Sequence, residues 1–355
     1  MSSTDRESSI FTAWHKALNQ FSNQKKSSGL VLSIYKENAE PLLWSGITGN
    51  VSLDQPYFIT ELGNLHLLAI ILKLKVRGLL KLDQPITDFL LEKEYEGLIN
   101  IRGKDYTDEV TISHLLSHNS GIPDFLNYSQ DKNNPLKVDM ISGVDKTWEH
   151  AEILKRTKSQ KTSFKPGQTK KAVYSSTNDQ LLGKVIESIN GKSLEKTLND
   201  FHFSRLSMNQ TYVYKDPNDR TPALFSYKND PLNLPLAMAS LGASGGIVST
   251  TKDCLTFVKA FFHGHLFPLS ELETTMKWLP IKQGLSQGKG ILRYQKSRIL
   301  PTATRDPEII GNSGFSSGAF SFYMPEFQTF MTGTTNQYDD PLLPYKLAYS
   351  MMKHL

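Results

Sequence analysis

The chain has 355 residues, of which 39% are hydrophobic and 21% charged, a composition typical of a globular protein with a large buried core. Its formal net charge of +5 comes from basic residues scattered along the sequence. That scatter argues against nucleic acid as a partner, because nucleic-acid binding usually needs a concentrated basic face. The single cysteine, Cys254, excludes an intramolecular disulfide and any multi-cysteine metal site.

The N-terminal stretch "MSSTDRESSIFTAWHKALNQF" has neither the charged region nor the apolar core of a signal peptide. No run of about 18 apolar residues predicts a membrane span. We therefore expect a cytoplasmic protein that does not associate with membranes. His114 and His118 are four residues apart, but no third ligand with suitable spacing follows, so we interpret them as structural. We expect no metal and no cofactor.

The first elements alternate between helix and strand. Residues 8–22 predict an amphipathic helix. The stretches "LVLSIYKE" and "PLLWSGITG" predict a strand pair joined by a polar turn. Residues 62–77 are apolar nearly all round, which predicts a buried central helix.

After a polar, irregular region over 88–165, helical patterns return. Helices are predicted over 174–188 and again within "NGKSLEKTL", and residues 245–262 predict a strand followed by a helix that carries a buried Cys254. The stretches "IIGNSGFSSGAFSFYMP" and "QTFMTGTTN" predict two adjacent strands, and a last helix is predicted over 341–354.

Strands near both ends of the chain with helices between them predict an α+β fold, in which an antiparallel sheet is completed by the C-terminal part. We divide the chain into an N-terminal helix and linker, 1–28, and one domain, 29–355. Within the domain, 29–60 and about 285–355 form an α/β sandwich, and about 61–265 form a helical lobe.

Four segments, taken together and in order, resemble the serine β-lactamase and penicillin-binding-protein superfamily, specifically its class C-like branch. They are "TISHLLSHNSGIPDF" (111–125), "PGQTKKAVYSSTNDQLLGKVIESINGKS" (166–193), "GASGGIVSTTKDCLTFVKAFF" (242–262) and "GNSGFSSGAFSFYMPEFQTFMTGTTN" (311–336). The resemblance spans roughly residues 29–350. It implies a β-lactamase/transpeptidase-like fold with an active-site cleft between the sheet and the helical lobe.

The resemblance also implies a nucleophilic serine, a lysine three residues later, a tyrosine in a Tyr-X-Asn motif and a Lys/His-Ser/Thr-Gly triplet. Counting back from "GLLKLDQPI", Glu61 stands at the serine position and Asn64 at the lysine position. In the second motif Tyr174 is kept and Ser176 replaces the asparagine. In the third, Asn312 replaces the cation while Ser313 and Gly314 remain. The serine and lysine needed for acylation are both absent from their positions.

Other serines do not restore the mechanism. The Ser-x-x-Lys pattern occurs at Ser22–Lys25, Ser129–Lys132, Ser193–Lys196, Ser249–Lys252, Ser286–Lys289 and Ser350–Lys353. None of these lies between a strand and a long buried helix, which is the context that the chemistry needs. Ser193 and Ser249 instead have the position of residues that open a helix.

The resemblance places the oxyanion hole at the backbone N–H groups of Glu61 and Phe315. One interpretation is that Glu61 only caps the helix and fills those donors. Another is that Glu61 and Tyr174 form an acid/base pair. Asp179 and Glu187, which follow Tyr174 on its helix, are interpreted as solvent-facing or structural.

Three functions follow from these alternatives. The first is a pseudoenzyme that binds a small molecule or peptide in the old cleft. The second is a repurposed lyase, cyclase or isomerase, and the third a residual esterase or amidase. The cleft has neutral Asn64, Ser176 and Asn312 where the family has activating or substrate-holding groups, so neutral or cationic ligands are favoured over anionic ones.

Overall fold

The structure is a computed structural model that describes residues 3–25, 29–127, 136–162, 164–228, 230–282, 284–296, 306–338 and 340–355. Within these residues it has fifteen strands and twelve α-helices. The strands are β1 (Gly29–Lys36), β2 (Leu42–Gly49), β3 (Tyr57–Phe58), β4 (Asn100–Ile101), β5 (Lys104–Asp105), β6 (Tyr212–Val213), β7 (Ser226–Tyr227), β8 (Asp230–Pro231), β9 (Ile247–Ser249), β10 (Leu279–Lys282), β11 (Leu285–Gln287), β12 (Leu292–Tyr294), β13 (Ile309–Ser313), β14 (Ala319–Met324) and β15 (Thr329–Thr334).

The helices lie mainly between the first and last groups of strands. They are α1 (Ser3–Lys25), α2 (Asn64–Val76), α3 (Glu92–Tyr95), α4 (Ile112–Leu116), α5 (Leu136–Ile141), α6 (His150–Lys158), α7 (Ser176–Asn190), α8 (Leu194–Leu198), α9 (Pro235–Leu241), α10 (Thr251–Phe262), α11 (Leu269–Glu273) and α12 (Leu343–Met352).

The largest sheet has eight antiparallel strands in the order β10-β11-β12-β13-β14-β15-β1-β2. β1 lies between β2 and β15, so the N-terminal hairpin is joined to the C-terminal strands as the sequence predicted. One face of the sheet packs on α1 and α12 through Trp14, Phe322 and Tyr345. The other face packs on α10, where Val258 contacts Phe330.

The central helix α2 is buried because its apolar residues surround the whole helix axis. Ten of its thirteen residues are buried, and each fully buried leucine or isoleucine contributes about 1.5–3 kcal/mol. Its C-terminal residues Lys73 and Lys75 lie in the last turn, where the helix dipole favours cations. Burial on all sides fixes the N-terminal end of α2 in position beside the sheet.

One sequence prediction needs correction, and one group of strands was missed. The stretch 309–325 was predicted as one strand, but it forms the hairpin β13–β14, because residues 314–318 turn the chain back on itself. The short strands β10 to β12 were not predicted. Cys254 is buried on α10, as expected from its apolar surroundings.

Candidate functional site

The site begins where β3 leads into α2 through one 3₁₀ turn, Thr60–Gly63. Thr60 has a φ of +42°, a conformation that is uncommon for a β-branched residue and marks local strain. Its hydroxyl lies 2.9 Å from the Ser317 hydroxyl, and the pair is buried. This contact ties the start of α2 to the turn after β13.

Glu61 follows Thr60 and points its carboxylate at that same turn. Its side chain is only 7% exposed. The Ser316 hydroxyl donates to Glu61 Oε1 at 2.6 Å, and the Ser316 backbone N–H donates to Oε2 at 3.2 Å. These charge-assisted hydrogen bonds satisfy both carboxylate oxygens. Glu61 is therefore matched by donors from the sheet.

Gly314 allows the turn to approach this closely. A Cβ at Gly314 would lie 2.2 Å from Thr60 Oγ1 and 2.7 Å from the Ile59 carbonyl oxygen. Any side chain there would push the turn away from the start of α2. Position 314 therefore requires glycine, because the turn lies so close to Ile59 and Thr60.

Tyr174 lies just before α7, near enough to Glu61 for the two groups to interact electrostatically. Its hydroxyl donates to Asp179 Oδ2 at 2.8 Å. Its ring packs 4.5 Å from the His118 ring and edge-on, at 6.2 Å, to Phe315. Burial raises the pKa of Tyr174 well above its usual value, and the charges of Asp179 and Glu61 raise it further. Tyr174 is therefore a hydrogen-bond donor at neutral pH.

Asp179, the acceptor of the Tyr174 hydroxyl, is buried and only 1% exposed. It accepts hydrogen bonds from Tyr174 and from the Asn64 side chain. Burial raises the pKa of Asp179, and the carboxylates of Glu61 and Asp124 add to that increase.

The nearest basic group, His118, supplies no positive charge to offset these carboxylates. His118 Nε2 lies 3.8 Å from Asp179 Oδ1, but burial lowers the pKa of His118 to about 3 and keeps the ring neutral. Within the described residues, no lysine or arginine forms an ion pair with Glu61, Asp124 or Asp179.

Asp124 is the third carboxylate and comes from the "SGIPDF" turn. Its Oδ1 accepts from the backbone N–H groups of Ser176 and Leu126, each at 3.2 Å. Burial raises the pKa of Asp124 to about 6, with a smaller contribution from Glu61. Asp124 thus fixes the start of α7 and adds an acidic group that titrates near neutral pH.

One buried oxygen atom beside these carboxylates, Asn64 Oδ1, has no hydrogen-bond partner, and its side chain is 6% exposed. An unpaired buried polar atom costs about 1–3 kcal/mol. The Ser176 side chain, which is 1% exposed, is hydrogen-bonded to Asp124 and Tyr174. Both residues stand at positions that the sequence analysis assigned to the site.

The predicted site residues are only partly brought together by their side chains. Glu61, Asn64, Tyr174 and Ser176 face one another around the acidic groups, and Phe315 packs at the edge. The other members are engaged as follows: Asn312 Oδ1 accepts from the Ser313 N–H at 2.8 Å, the Ser313 hydroxyl contacts Tyr345 of α12 at 3.2 Å, and Gly314 packs on Thr60.

Several groups at the site were missed. Asp179 was interpreted as solvent-facing or structural, and the solvent-facing alternative is wrong because the residue is buried under Tyr174. Asp124 was interpreted as part of a loop, and Ser316 lay within the stretch 309–325 that was predicted as one strand. Tyr338, whose pKa is raised by burial and by Glu61, was not considered. The one available signal for Asp179 was its place in the first turn of the helix that follows Tyr174.

Other candidates have structural roles. His114 Nδ1 accepts from the Thr111 N–H in a helix cap, and His66 is buried against the Phe257 ring at 3.7 Å. In the part of the chain that the structure covers, no three His, Cys, Asp or Glu side chains form a group suited to a metal ion. In the same part, no helix is both long and apolar enough to cross a bilayer.

Comparison with known families settles the relationship. The family described as Beta-lactamase matches residues 66–349, most of the chain. The chain belongs to the β-lactamase family. The match begins two residues after Asn64, so it does not include the segment 61–64.

Solved structures of other proteins have the same fold. A D-stereospecific amidohydrolase from Streptomyces sp. has a TM-score of 0.74 and 22% identity, over 95% of this chain and 97% of that chain. A D-amino acid amidase from Ochrobactrum anthropi SV3, complexed with L-phenylalanine amide, has a TM-score of 0.75 and 20% identity, over 98% of each chain. A penicillin-binding protein from Bacillus halodurans has a TM-score of 0.69 and 17% identity, over 95% and 99%. The β-lactamase/transpeptidase-like fold is thereby confirmed.

Proposed function

We propose that this chain is a non-hydrolytic member of the β-lactamase family, on its class C-like branch, that binds a small molecule or peptide in the cleft between Glu61 and Tyr174. Neutral or cationic ligands are favoured, since Glu61, Asp124 and Asp179 share the cleft without a cationic partner among the described residues. We place the protein in the cytoplasm.

The observation that carries this proposal is the position of Glu61. It lies at the N-terminal end of the central helix and is held there by two hydrogen bonds from Ser316. A carboxylate in that place has no hydroxyl to attack an acyl group. No serine occurs between residues 57 and 68, and Asn64 supplies no amine. Acylation at this position therefore lacks both its nucleophile and its activating base.

The acid/base alternative has a specific observation of its own. The predicted pair was Glu61 and Tyr174, and Asp124, with a pKa of about 6, offers a second carboxylate as the base, with the protonated Tyr174 as the donor, for a lyase, cyclase or isomerase reaction. Against it, Tyr174 donates to Asp179 and Glu61 accepts from Ser316, so the two predicted partners are occupied by other groups.

The residual esterase or amidase alternative rests on Ser316. Its half-buried hydroxyl donates to the Glu61 carboxylate at 2.6 Å, an arrangement of nucleophile and base. A carboxylate is a weaker general base for a serine hydroxyl than an imidazole or an amine, which makes this alternative the weaker one.

The test uses a fluorophosphonate probe and a panel of p-nitrophenyl esters on the wild-type protein and on Ser316→Ala. We expect neither labelling nor ester turnover in either protein. Labelling of the wild type that disappears in Ser316→Ala would establish Ser316 as a nucleophile and overturn the proposal. Labelling that persists in Ser316→Ala would overturn it through another serine, which peptide mapping would locate.

A further inference from the structure

A second cavity lies at the C-terminal end of the central helix α2, away from the cleft. Its volume is about 490 Å³, and its walls include Arg77, Lys192, Thr197, Asp200, Phe201 and Arg205. The helix has thirteen residues, from Asn64 to Val76, and is therefore about 20 Å long. Glu61 and Asn64, at its other end, do not line this cavity.

Three cations, Lys73, Arg77 and Arg205, lie close together at the cavity. Lys73 Nζ is 5.5 Å, and the central guanidinium carbon of Arg77 is 5.2 Å, from the centre of the Phe201 ring. Lys73 and Arg77 are four residues apart at the end of α2, a spacing at which like charges destabilise a helix. Burial lowers the pKa of Lys73, and the charges of Arg205 and Arg77 lower it further. The three positive charges therefore repel one another.

These cations have no counter-ion. Among the described residues, none of the three forms an ion pair with a carboxylate. Asp200 lies in the cavity wall, but its carboxylate accepts from Lys192 Nζ at 2.9 Å. The helix dipole favours cations at the end of α2, but Arg205 belongs to another segment, where its Nε–H donates to the Asp200 carbonyl oxygen at 2.8 Å. The cavity therefore has an excess of positive charge.

A buried hydroxyl belongs to the wall of the same cavity. Thr197 is 1% exposed, and its Oγ1 has no hydrogen-bond partner. Buried polar atoms are nearly always hydrogen-bonded, so an unpaired one in a cavity wall marks a place where a ligand atom can complete the bond. A hydroxyl can donate to an oxyanion, as guanidinium and ammonium groups do. The cations and this hydroxyl thus favour the same kind of ligand.

From this arrangement we infer that the cavity binds the dianionic phosphoryl group of a small phosphomonoester, at a site separate from the cleft. Such a group has three acceptor oxygens and a charge of about −1.5 to −2 at neutral pH. Arg77 and Arg205 would bind its oxygens through paired N–H groups. Lys73 would add a third positive charge, and Thr197 a hydroxyl donor. The site does not depend on the function proposed for the cleft.

The remaining walls indicate what the phosphoryl group is attached to. Asn190 and Ser204 line the cavity beside the cations, and their side chains can both donate and accept hydrogen bonds. The volume lies within the range of about 300–1,000 Å³ that is usual for small-molecule sites. A phosphorylated polyol or sugar therefore fits the cavity better than inorganic phosphate does.

The experiment titrates the full-length protein with methyl phosphate and with dimethyl phosphate, at constant ionic strength, by isothermal titration calorimetry. The diester differs by one methyl group and carries a single charge. We expect the monoester to bind about tenfold more tightly or better, because the diester loses one charged oxygen. Equal affinities, or no binding by either compound, would overturn the inference.

Two further compounds distinguish the sources of the phosphoryl group. Glycerol phosphate should bind more tightly than inorganic phosphate, since its hydroxyl groups can reach the polar walls. The opposite order would overturn the assignment of an organic ligand and would make free phosphate the ligand of the site.

Variants of the cations locate the site. Arg77→Gln and Arg205→Gln should each weaken the binding of methyl phosphate about tenfold. Arg102→Gln removes the same charge at an exposed turn that does not line the cavity, and it should change the affinity by about twofold or less. Equal losses in all three variants would show an effect of net charge alone and contradict the assignment.

Thr197→Val tests whether the cavity wall takes part. Valine has nearly the same shape as threonine but lacks the hydroxyl. We expect the affinity for methyl phosphate to fall about threefold or more. The stability in urea should be unchanged or higher, because the hydroxyl has no partner to lose. Unchanged affinity would show that the anion binds only to surface cations and would overturn the cavity as its site. Fluorophosphonate labelling reports on the cleft alone, so the two proposals fail separately.

Discussion

The buried carboxylates on the two sides of the cleft, Glu61 and Asp179, have different surroundings. On the sheet side, Glu61 is matched by the N–H and hydroxyl of Ser316. On the helical side, Asp179 also has two donors, Tyr174 and Asn64, but it is 1% exposed against 7% for Glu61, its only basic neighbour is the neutral His118, and burial raises its pKa. The comparison shows that two carboxylates with the same number of donors differ in pKa when one of them lies deeper in the protein.

The largest expected effect comes from restoring the serine at position 61 and the lysine at position 64 together. The double variant Glu61→Ser/Asn64→Lys restores a hydroxyl near the Ser316 N–H and an amine one turn later. We expect fluorophosphonate labelling of the double variant where the wild type shows none, because the serine and the lysine are the two groups that acylation lacks. Intact-mass spectrometry measures the labelled fraction.

The control for this gain is the same double variant with Tyr174→Phe. Tyr174 is near enough to position 61 for the Glu61 charge to raise its pKa, so removal of its hydroxyl should lower the labelling rate. If the double variant is folded and unlabelled, the donor groups near Phe315 do not form a working oxyanion hole, and the inherited geometry is lost.

The next largest effect is on stability and concerns the helical side. Asp179→Leu leaves the Tyr174 hydroxyl and the Asn64 amide without their acceptor. We expect it to lower the free energy of unfolding by about 2–4 kcal/mol, because each buried unsatisfied group costs about 1–3 kcal/mol. Urea denaturation followed by circular dichroism measures the change.

Asp179→Asn is the matched control because it keeps an acceptor oxygen and removes the charge. It should cost less than about 1 kcal/mol. Equal losses in the two variants would show that the charge of Asp179, rather than its accepting oxygen, stabilises the fold.

A pH effect should appear at Asp124. Its pKa of about 6 lies above the reference value of 3.8, so the folded state binds more protons than the unfolded state between these values. This contribution to stability is present at low pH and is lost as the pH rises through about 6. The associated slope is at most about 1.4 kcal/mol per pH unit for one group.

Denaturation midpoints of wild type and Asp124→Asn, measured between about pH 4 and pH 7, check this prediction. This range covers roughly the interval between the unfolded and folded pKa values. Asn keeps the oxygen that accepts from Ser176 and Leu126 but does not titrate. We expect the difference between the two stability curves to change across this range. Parallel curves would mean that Asp124 has an ordinary pKa.

The smallest effect is expected on the sheet side. Ser316→Ala removes the hydroxyl that donates to Glu61 but keeps the backbone N–H donor. We expect a loss of about 1–2 kcal/mol in the free energy of unfolding. Ser270→Ala, at an exposed position of α11, gauges the background cost of an unrelated Ser→Ala change. A loss of 3 kcal/mol or more, above the value of about 1.5–3 kcal/mol for one charge-assisted bond, would show that the sheet side depends on Ser316 alone.

The sequence was most informative where burial follows from periodicity. The apolar residues of α2, the strand pair β1–β2 and the helix around Cys254 were predicted correctly because their patterns have one structural solution. The short strands β10 to β12 have three or four residues each, too few for a pattern. Their strand state depends on neighbours that are distant in sequence.

The site was harder to predict for the same reason. An aspartate in the first turn of a helix is commonly a solvent-exposed charge that favours the dipole, and only the packing of Tyr174 over Asp179 shows that this one is buried. The orientation of Ser313 toward Tyr345 follows from strand alternation, because neighbours along β13 point to opposite faces. That alternation was available in the sequence and was not used.

The left-handed backbone at Thr60 has a consequence for how this protein could change over generations. The main chain at 60–61 is held by the Thr60–Ser317 contact and the close approach of Gly314, and neither involves the side chain of residue 61. The residue at 61 can therefore be exchanged while its direction is preserved. A binding protein and a hydrolase built on this scaffold are then separated by few substitutions. These substitutions can accumulate in evolution while the backbone conformation at 60–61 is kept.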